Sequence, residues 1–231
     1  MASQLLIALL VTTAFAALAY ALGMISRGGA LGGLLVGTTI YVFLGPQGFA
    51  VLALFVIGGS ILTRLGYRSK QRAGNAQEHG GRRGARNAVA NCSVAVLCAV
   101  LTATTGSEIF VAPFVASLGA AFADTTESEI GQLFSSTPRL ITTLQKVPPG
   151  TDGAISLPGT LAGTAAACIT AFLALTLNLL ETPGGALLVA IAAFLGTVAD
   201  SLIGALAPRA DNELTNVLCT LVAAVLALLF I

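Results

Sequence analysis

Charge is what this chain has least of. Only 9 % of its 231 residues are Asp, Glu, Lys or Arg, against about 25 % in a soluble domain. A water-soluble protein of this size could not cover its surface with so few. A disordered chain is excluded for the opposite reason, since it needs low hydrophobicity and high charge. Tryptophan is absent, and His79 is the single histidine. The net charge is +1, so no overall field favours nucleic acid as a partner. There is no CxxC pair: Cys92, Cys98, Cys168 and Cys219 all lie in apolar stretches and read as small apolar residues rather than as a disulfide or metal framework. Apolar residues, by contrast, make up 56 % of the chain, and the mean hydropathy is +0.92. Glycine is abundant at 26 residues, as expected where helices pack closely in lipid. The composition therefore predicts an all-α, polytopic transmembrane helix bundle, a single integral membrane domain over 1–231.

A helix that crosses the hydrocarbon core needs about 17–25 largely apolar residues. Eight stretches qualify: 5–22, 29–44, 48–66, 88–104, 107–123, 157–179, 184–204 and 214–231. The second is short and glycine-rich, which leaves seven spans as the alternative. The first reads as a span rather than a cleaved signal peptide, because no basic residue precedes it. With eight spans, all 11 basic residues fall at alternate connections. Arg27 lies in the first of these, the run from Arg64 to Arg86 in the next, then Arg139 with Lys146, then Arg209. The intervening connections, at Gly45-Pro46-Gln47, Thr105-Gly106-Ser107 and Glu181-Thr182-Pro183, hold no Lys or Arg. This is the positive-inside pattern. It predicts cytoplasmic loops at about 67–87, 124–156 and 205–213, with both termini outside. Most of the acids fall on that face too, with only Glu108 and Glu181 opposite. A transporter would more often carry polar groups near mid-bilayer, so the pattern favours a catalytic or binding surface facing the cytoplasm.

Three polar segments could carry chemistry. In Tyr67–Asn91, glycines stand beside arginines at Gly80-Gly81-Arg82-Arg83-Gly84. Backbone amides and guanidinium forks can approach a phosphate together there, although the same residues also suit a solvated orienting loop. His79 in this loop is given no role. In Asp124–Gly153, three carboxylates close a span: Asp124, Glu127 and Glu129. On a continuing helix, Asp124, Glu127 and Ser128 share a face and Glu129 points elsewhere. Hard oxygen ligands of this kind suit Mg²⁺ held with substrate phosphates; an acidic interfacial helix end is the plainer alternative. Arg139 and Lys146 carry the positive charge of the following loop, and Ser156-Leu157-Pro158-Gly159-Thr160 opens the next span as a helix N-terminus suited to an anion. The third segment is Ala199-Asp200-Ser201, which repeats Ala123-Asp124-Thr125 at the same membrane face. Two such aspartates on different helices could converge on one cation. No Walker A sequence is present.

These residues resemble the membrane family that includes plant and cyanobacterial phytyl-phosphate kinase. The resemblance covers nearly the whole chain. It is carried by Ala123-Asp124-Thr125, Ser128-Glu129-Ile130-Gly131, Pro138-Arg139-Leu140-Ile141-Thr142, Val147-Pro148-Pro149-Gly150-Thr151, Gly153, Gly159-Thr160-Leu161-Ala162-Gly163, Asp200-Ser201, Asn212 and Asn216. No role passes to Glu127, and Asn91-Cys92 stands where the family favours Asn-Gly. The resemblance implies transfer of a phosphoryl group from a nucleoside triphosphate, CTP above others, to a prenyl monophosphate lipid such as phytyl phosphate, with Mg²⁺, in isoprenoid and tocopherol metabolism. It implies a bacterial plasma membrane or thylakoid-type membrane with the active face cytoplasmic. The expected metal ligands are Asp124, Glu129 and Asp200. Arg82, Arg83, Arg139 and Lys146 are expected on phosphates, with Asn87, Gly150, Thr151, Gly153, Thr160, Asn212 and Asn216 around them. A small-anion or lipid transporter, a prenyl-alcohol kinase and a CDP-lipid-forming nucleotidyltransferase are the rival readings.

Overall fold

Seven long apolar helices carry the chain in the computed structural model, which describes residues 2–76, 78–207 and 210–230. Arg209 and the side chains of Glu78 and His79, placed on the basic face by the sequence reading, lie outside the described residues. The long helices are α1 (Ala2–Ala21), α2 (Arg27–Arg64), α5 (Ala85–Thr105), α6 (Val111–Phe134), α7 (Leu157–Thr176), α8 (Pro183–Leu206) and α9 (Asn212–Phe230). Two short helices, α3 (Tyr67–Arg72) and α4 (Glu78–Gly81), lie between α2 and α5. A small antiparallel hairpin pairs β1 (Arg139–Leu140) with β2 (Ala154–Ile155).

Helix α2 is bent double. Gly45 has φ 68° and ψ −170°, a conformation open to glycine, and Pro46 follows without an N–H to continue the ladder. Gly37 and Phe49 would stand roughly 18 Å apart on a straight helix. Instead, a Cβ on Gly37 would meet the Phe49 ring at 3.1 Å. The two arms are the adjacent spans 29–44 and 48–66 of the sequence reading, so seven helices supply eight membrane-length segments.

The connections that hold the basic residues meet at one end of the bundle. Ser26 N donates to Arg83 O at 3.0 Å, and Arg83 N to Met24 O at 3.1 Å. Asn75 Nδ2 donates to Pro149 O at 2.8 Å. Arg86 Nε lies 3.7 Å from the Glu213 carboxylate. Gly153, at φ +74°, lies so close to α8 that a Cβ would be 2.4 Å from Ala205 N. The alternate grouping expected from charge is therefore a spatial grouping.

Helix α6 is the axis. It touches α2, α5, α7, α8 and α9, and 78 % of its apolar window is buried against 22–39 % for the other spans. Close packing is possible because the interior is built of small residues such as Ala95, Ala116, Ala120, Ala192 and Ala223. At Gly196, a Cβ would be 2.7 Å from Cys219 O and 3.1 Å from Ala120 Cβ, which is where α6, α8 and α9 meet. Leucines take the outside: Leu35 is 75 % and Leu229 74 % exposed, as expected of surfaces meeting lipid. Three cysteines are buried, whereas Cys168 is on the outer surface.

The loops are shorter than expected. Residues 124–134, read as the start of a cytoplasmic loop, are the last turns of α6. No proline interrupts the run, and neighbouring groups answer two of its acids, so the helix continues. The 67–87 segment likewise contains α3 and α4, and α5 begins at Ala85.

Candidate functional site

The last turns of α6 carry acids on two faces. Asp124 and Glu127 project toward α7 and α8, while Glu129 projects toward α3. The Asp124 and Asp200 carboxyl groups lie within hydrogen-bonding reach of each other. Glu127 faces both of them. Thr160 Oγ1 donates to Glu127 Oε1 at 2.9 Å, and Thr197 reaches the same carboxylate. Thr215, on α9, reaches Asp200. Asp152 faces Asp200 from the loop held against α8 by Gly153. Four segments thus converge on one half-buried carboxylate cluster.

Local sequence explains the convergence. Ser156 caps α7, accepting from Gly159 N at 3.2 Å. Gly159 and Gly163 then let α7 press against α6. A Cβ at Gly159 would be 2.7 Å from Glu127 O, and one at Gly163 3.1 Å from Glu127 Cβ. The α7 N-terminus expected to meet an anion meets the Glu127 carboxylate, which its dipole favours.

Arg83 is the cation of the site. Its backbone is pinned to the 24–26 turn by the two bonds above. Its guanidinium lies 4.7 Å over the Phe55 ring. Nη1 donates to Asn87 Oδ1 at 3.2 Å and Nη2 to Thr125 Oγ1 at 3.4 Å. Nε is buried without a partner. Burial pushes this guanidinium below its ordinary value, against the pull of Cys92, Glu129 and Asp124. On its other side, Arg83 closes an apolar groove of about 580 Å³ between α1, both arms of α2, and α5.

The other expected site residues are placed differently. Glu129 does not join Asp124 and Asp200. It forms a buried ion pair with Lys70, whose Nζ also donates to Thr63 O at 2.9 Å and Leu62 O at 3.3 Å. The physical reason is helical phase: five residues after Asp124, Glu129 is turned away from the face that Glu127 shares. Arg139 and Lys146 are exposed and face each other across an isolated bridge, and Arg139 Nη1 donates to its own loop at Leu144 O, 2.7 Å. Arg82 lies beside Arg64 at the α1–α2 turn, near Gly23. Gly150 packs on the Asn75 side chain, and Thr151 Oγ1 closes its own turn on Pro148 O at 2.8 Å. Asn212 and Asn216 open α9, the first of them exposed. Thr160 does reach the cluster, and Asn87 supports Arg83. Sequence reasoning gave no role to Glu127, Thr197 or Thr215. Helical spacing was the available signal: Glu127 and Thr197 each lie three residues from an aspartate of the pair.

The Mg²⁺ expectation can be set against this donor set. Among the described residues, no three His, Cys, Asp or Glu side chains form a ready-made metal cage. Two abutting carboxyl groups with a buried, unpartnered Asp200 Oδ1 nevertheless fit an ion that takes one or two carboxylates and completes its shell with water and phosphate oxygens.

A helical membrane bundle with a carboxylate cluster at one end defines the class. Within that class, the chain belongs to the integral membrane protein family DUF92, which matches residues 10–224. It is 38 % identical over 201 residues to an uncharacterized membrane protein of Synechocystis, covering 84 % of this chain and 77 % of the relative. It is 33 % identical over 186 residues to protein VTE6, chloroplastic, of Arabidopsis thaliana, covering 78 % of this chain and 56 % of that protein. It is also 33 % identical over 210 residues to an uncharacterized membrane protein of Methanocaldococcus jannaschii, covering 87 % of this chain and 83 % of the relative. No solved structure matches.

Proposed function

We propose that this protein is a membrane phosphotransferase that converts a prenyl monophosphate to the diphosphate, with a nucleoside triphosphate, CTP by family resemblance, as donor. The observation that carries the reading is the meeting of Asp124 and Asp200 from different helices, beside the buried Arg83. Two adjacent carboxylates repel unless positive charge lies between them. Asp124 and Asp200 would hold Mg²⁺, with Glu127 next to them, and the ion would supply charge neutralisation for the donor phosphates. Thr215 orients Asp200, and Thr160 with Thr197 fixes Glu127, so the acids are held before substrate arrives. Arg83 offers its unpartnered Nε to the lipid phosphate. An oxygen of that phosphate attacks the γ-phosphorus, the bond to the β-phosphate oxygen breaks, and the nucleoside diphosphate leaves. A phosphate monoester is already an anionic nucleophile, so positioning and charge are the main requirements. The active face is taken as cytoplasmic, because the cluster lies at the end of the bundle that holds the basic connections.

The test is purified protein in detergent with Mg²⁺, a panel of nucleoside triphosphates, and prenyl alcohols and monophosphates, with products identified by mass. Prenyl diphosphate supports the proposal. A monophosphate made from alcohol would replace it with an alcohol kinase, and a CDP-lipid with a nucleotidyltransferase. Absence of any transfer, with nucleotide-independent uptake into sealed vesicles, would replace it with a transporter.

A further inference from the structure

The apolar groove beside Arg83 has no part in the carboxylate cluster, yet it ends at the residue that links the two. Phe15 of α1, Val36, Phe49, Leu52 and Phe55 of α2 and Cys92 of α5 line its walls. Only Arg83 and Asn87 bring substantial polar groups to its end. A dry groove closed by a buried guanidinium nitrogen without a partner is complementary to one kind of molecule, an apolar chain with an anionic head. Helix α2 is bent back at Gly45 so that its two arms form opposite walls, which gives the fold-back a purpose beyond adding a span.

Resting on the reading above, we propose that this groove holds the isoprenoid tail of the lipid phosphate, with the head at Arg83 and Asn87, and that the groove sets tail length. Its roughly 580 Å³ corresponds to about 20 methylene-sized groups at ~30 Å³ each, the share of a water molecule. Gly33 is the position that makes this testable. Gly29, a turn below, is jammed against Arg83 O, and Gly37, a turn above, is tight against Phe49 and Thr12; a Cβ on Gly33 meets nothing within 4 Å. A side chain at Gly33 therefore projects into open space without displacing backbone, about one helical turn beyond the head site. Leu35, on the same arm, is 75 % exposed and points away.

The experiment measures binding of a twenty-carbon and a five-carbon prenyl monophosphate to purified wild type, Gly33→Leu, Val36→Phe and the outward control Leu35→Phe, with monodispersity and Tm checked for each. A side chain that excludes three methylenes, at about fourfold in affinity each, should weaken the twenty-carbon ligand roughly 50-fold in Gly33→Leu and leave the five-carbon ligand and Leu35→Phe unchanged. Val36→Phe should act the same way deeper in the groove, and it carries the test if the glycine variant does not fold. Wild-type affinity for the long tail in the folded groove variants would overturn the groove assignment while leaving the kinase reading intact. Equal loss of both ligands would show damage at the head rather than the tail, and would overturn it too. A wild type that binds neither phosphate would instead sink the functional reading on which the inference rests.

Discussion

Replacing Glu129 by Gln separates a structural acid from a functional one. The Lys70 and Glu129 side chains are 3 % and 6 % exposed, so the substitution strands a lysine away from water. Breaking a buried pair by removing one partner costs about 3–5 kcal/mol. Lys70 keeps the Thr63 and Leu62 carbonyls as acceptors, which argues for the low end, about 3 kcal/mol. For a chain of this size, each kcal/mol moves Tm by about 2–4 °C, so Glu129→Gln should melt about 6–12 °C lower. Turnover per folded molecule should stay near wild type. Adding Lys70→Met removes the stranded charge and should recover most of the lost stability, a coupling that a double-mutant cycle reads directly. Thermal unfolding in detergent and turnover, both on the monodisperse fraction, are the assays. If Glu129→Gln melts like wild type yet loses Mg²⁺-dependent turnover, Glu129 belongs with Asp124 and Asp200 after all, and the assignment from helical phase is wrong.

Asp124→Asn and Asp200→Asn should each lower turnover about 10²–10³-fold, the range for removal of one preorganised electrostatic group, with Tm held or raised because two facing carboxylates no longer repel; normal turnover in Mg²⁺ for both would remove the pair from the mechanism. Gly59→Ala places a Cβ 2.4 Å from Arg83 Nη2, so it should swing the guanidinium off Phe55 and weaken prenyl phosphate binding about tenfold with a small change in Tm; unchanged affinity would show that Arg83 does not meet the phosphate. In a background lacking the four native cysteines, single cysteines at positions 73 and 145 should label from one side of a sealed vesicle and those at 106 and 181 from the other, and labelling of 73 and 145 from opposite sides would overturn the topology.

Much of the fold was legible because lipid imposes simple rules on sequence. Length and apolar composition gave the helices, and the location of Lys and Arg gave the grouping of the connections. The hairpin in α2 was visible as Gly45-Pro46, a pair that can neither stay helical nor continue the ladder. The end of α6 was less legible. Asp124–Gly131 looks like a loop when charge is read as solvent exposure, whereas Lys70, Thr160 and Asp200 come from distant parts of the chain to meet its acids. Lys70 gave no signal at all, since a lysine in a basic segment reads as solvated until its tertiary partner is known. The apolar groove was equally hidden, because its lining residues are indistinguishable in sequence from those that face lipid.

The contrast between Glu127 and Glu129 shows what spacing can decide and resemblance cannot. Both acids lie within five residues of Asp124, and the family pattern included Glu129 and passed over Glu127. Helical phase puts them on different faces, and the faces have different neighbours. One looks onto α7 and α8, where glycines allow close approach and threonines supply donors without charge; negative charge there stays uncompensated within the protein and available to a cation. The other looks onto α3, where Lys70 compensates it at once. A carboxylate already paired in a dry interior has little left to offer a metal, while a group of carboxylates held together by neutral hydroxyls keeps its charge for a ligand. The most buried helix of the bundle therefore uses one acid to fasten the cytoplasm-side connections to the core and presents the others, one turn away, as its site.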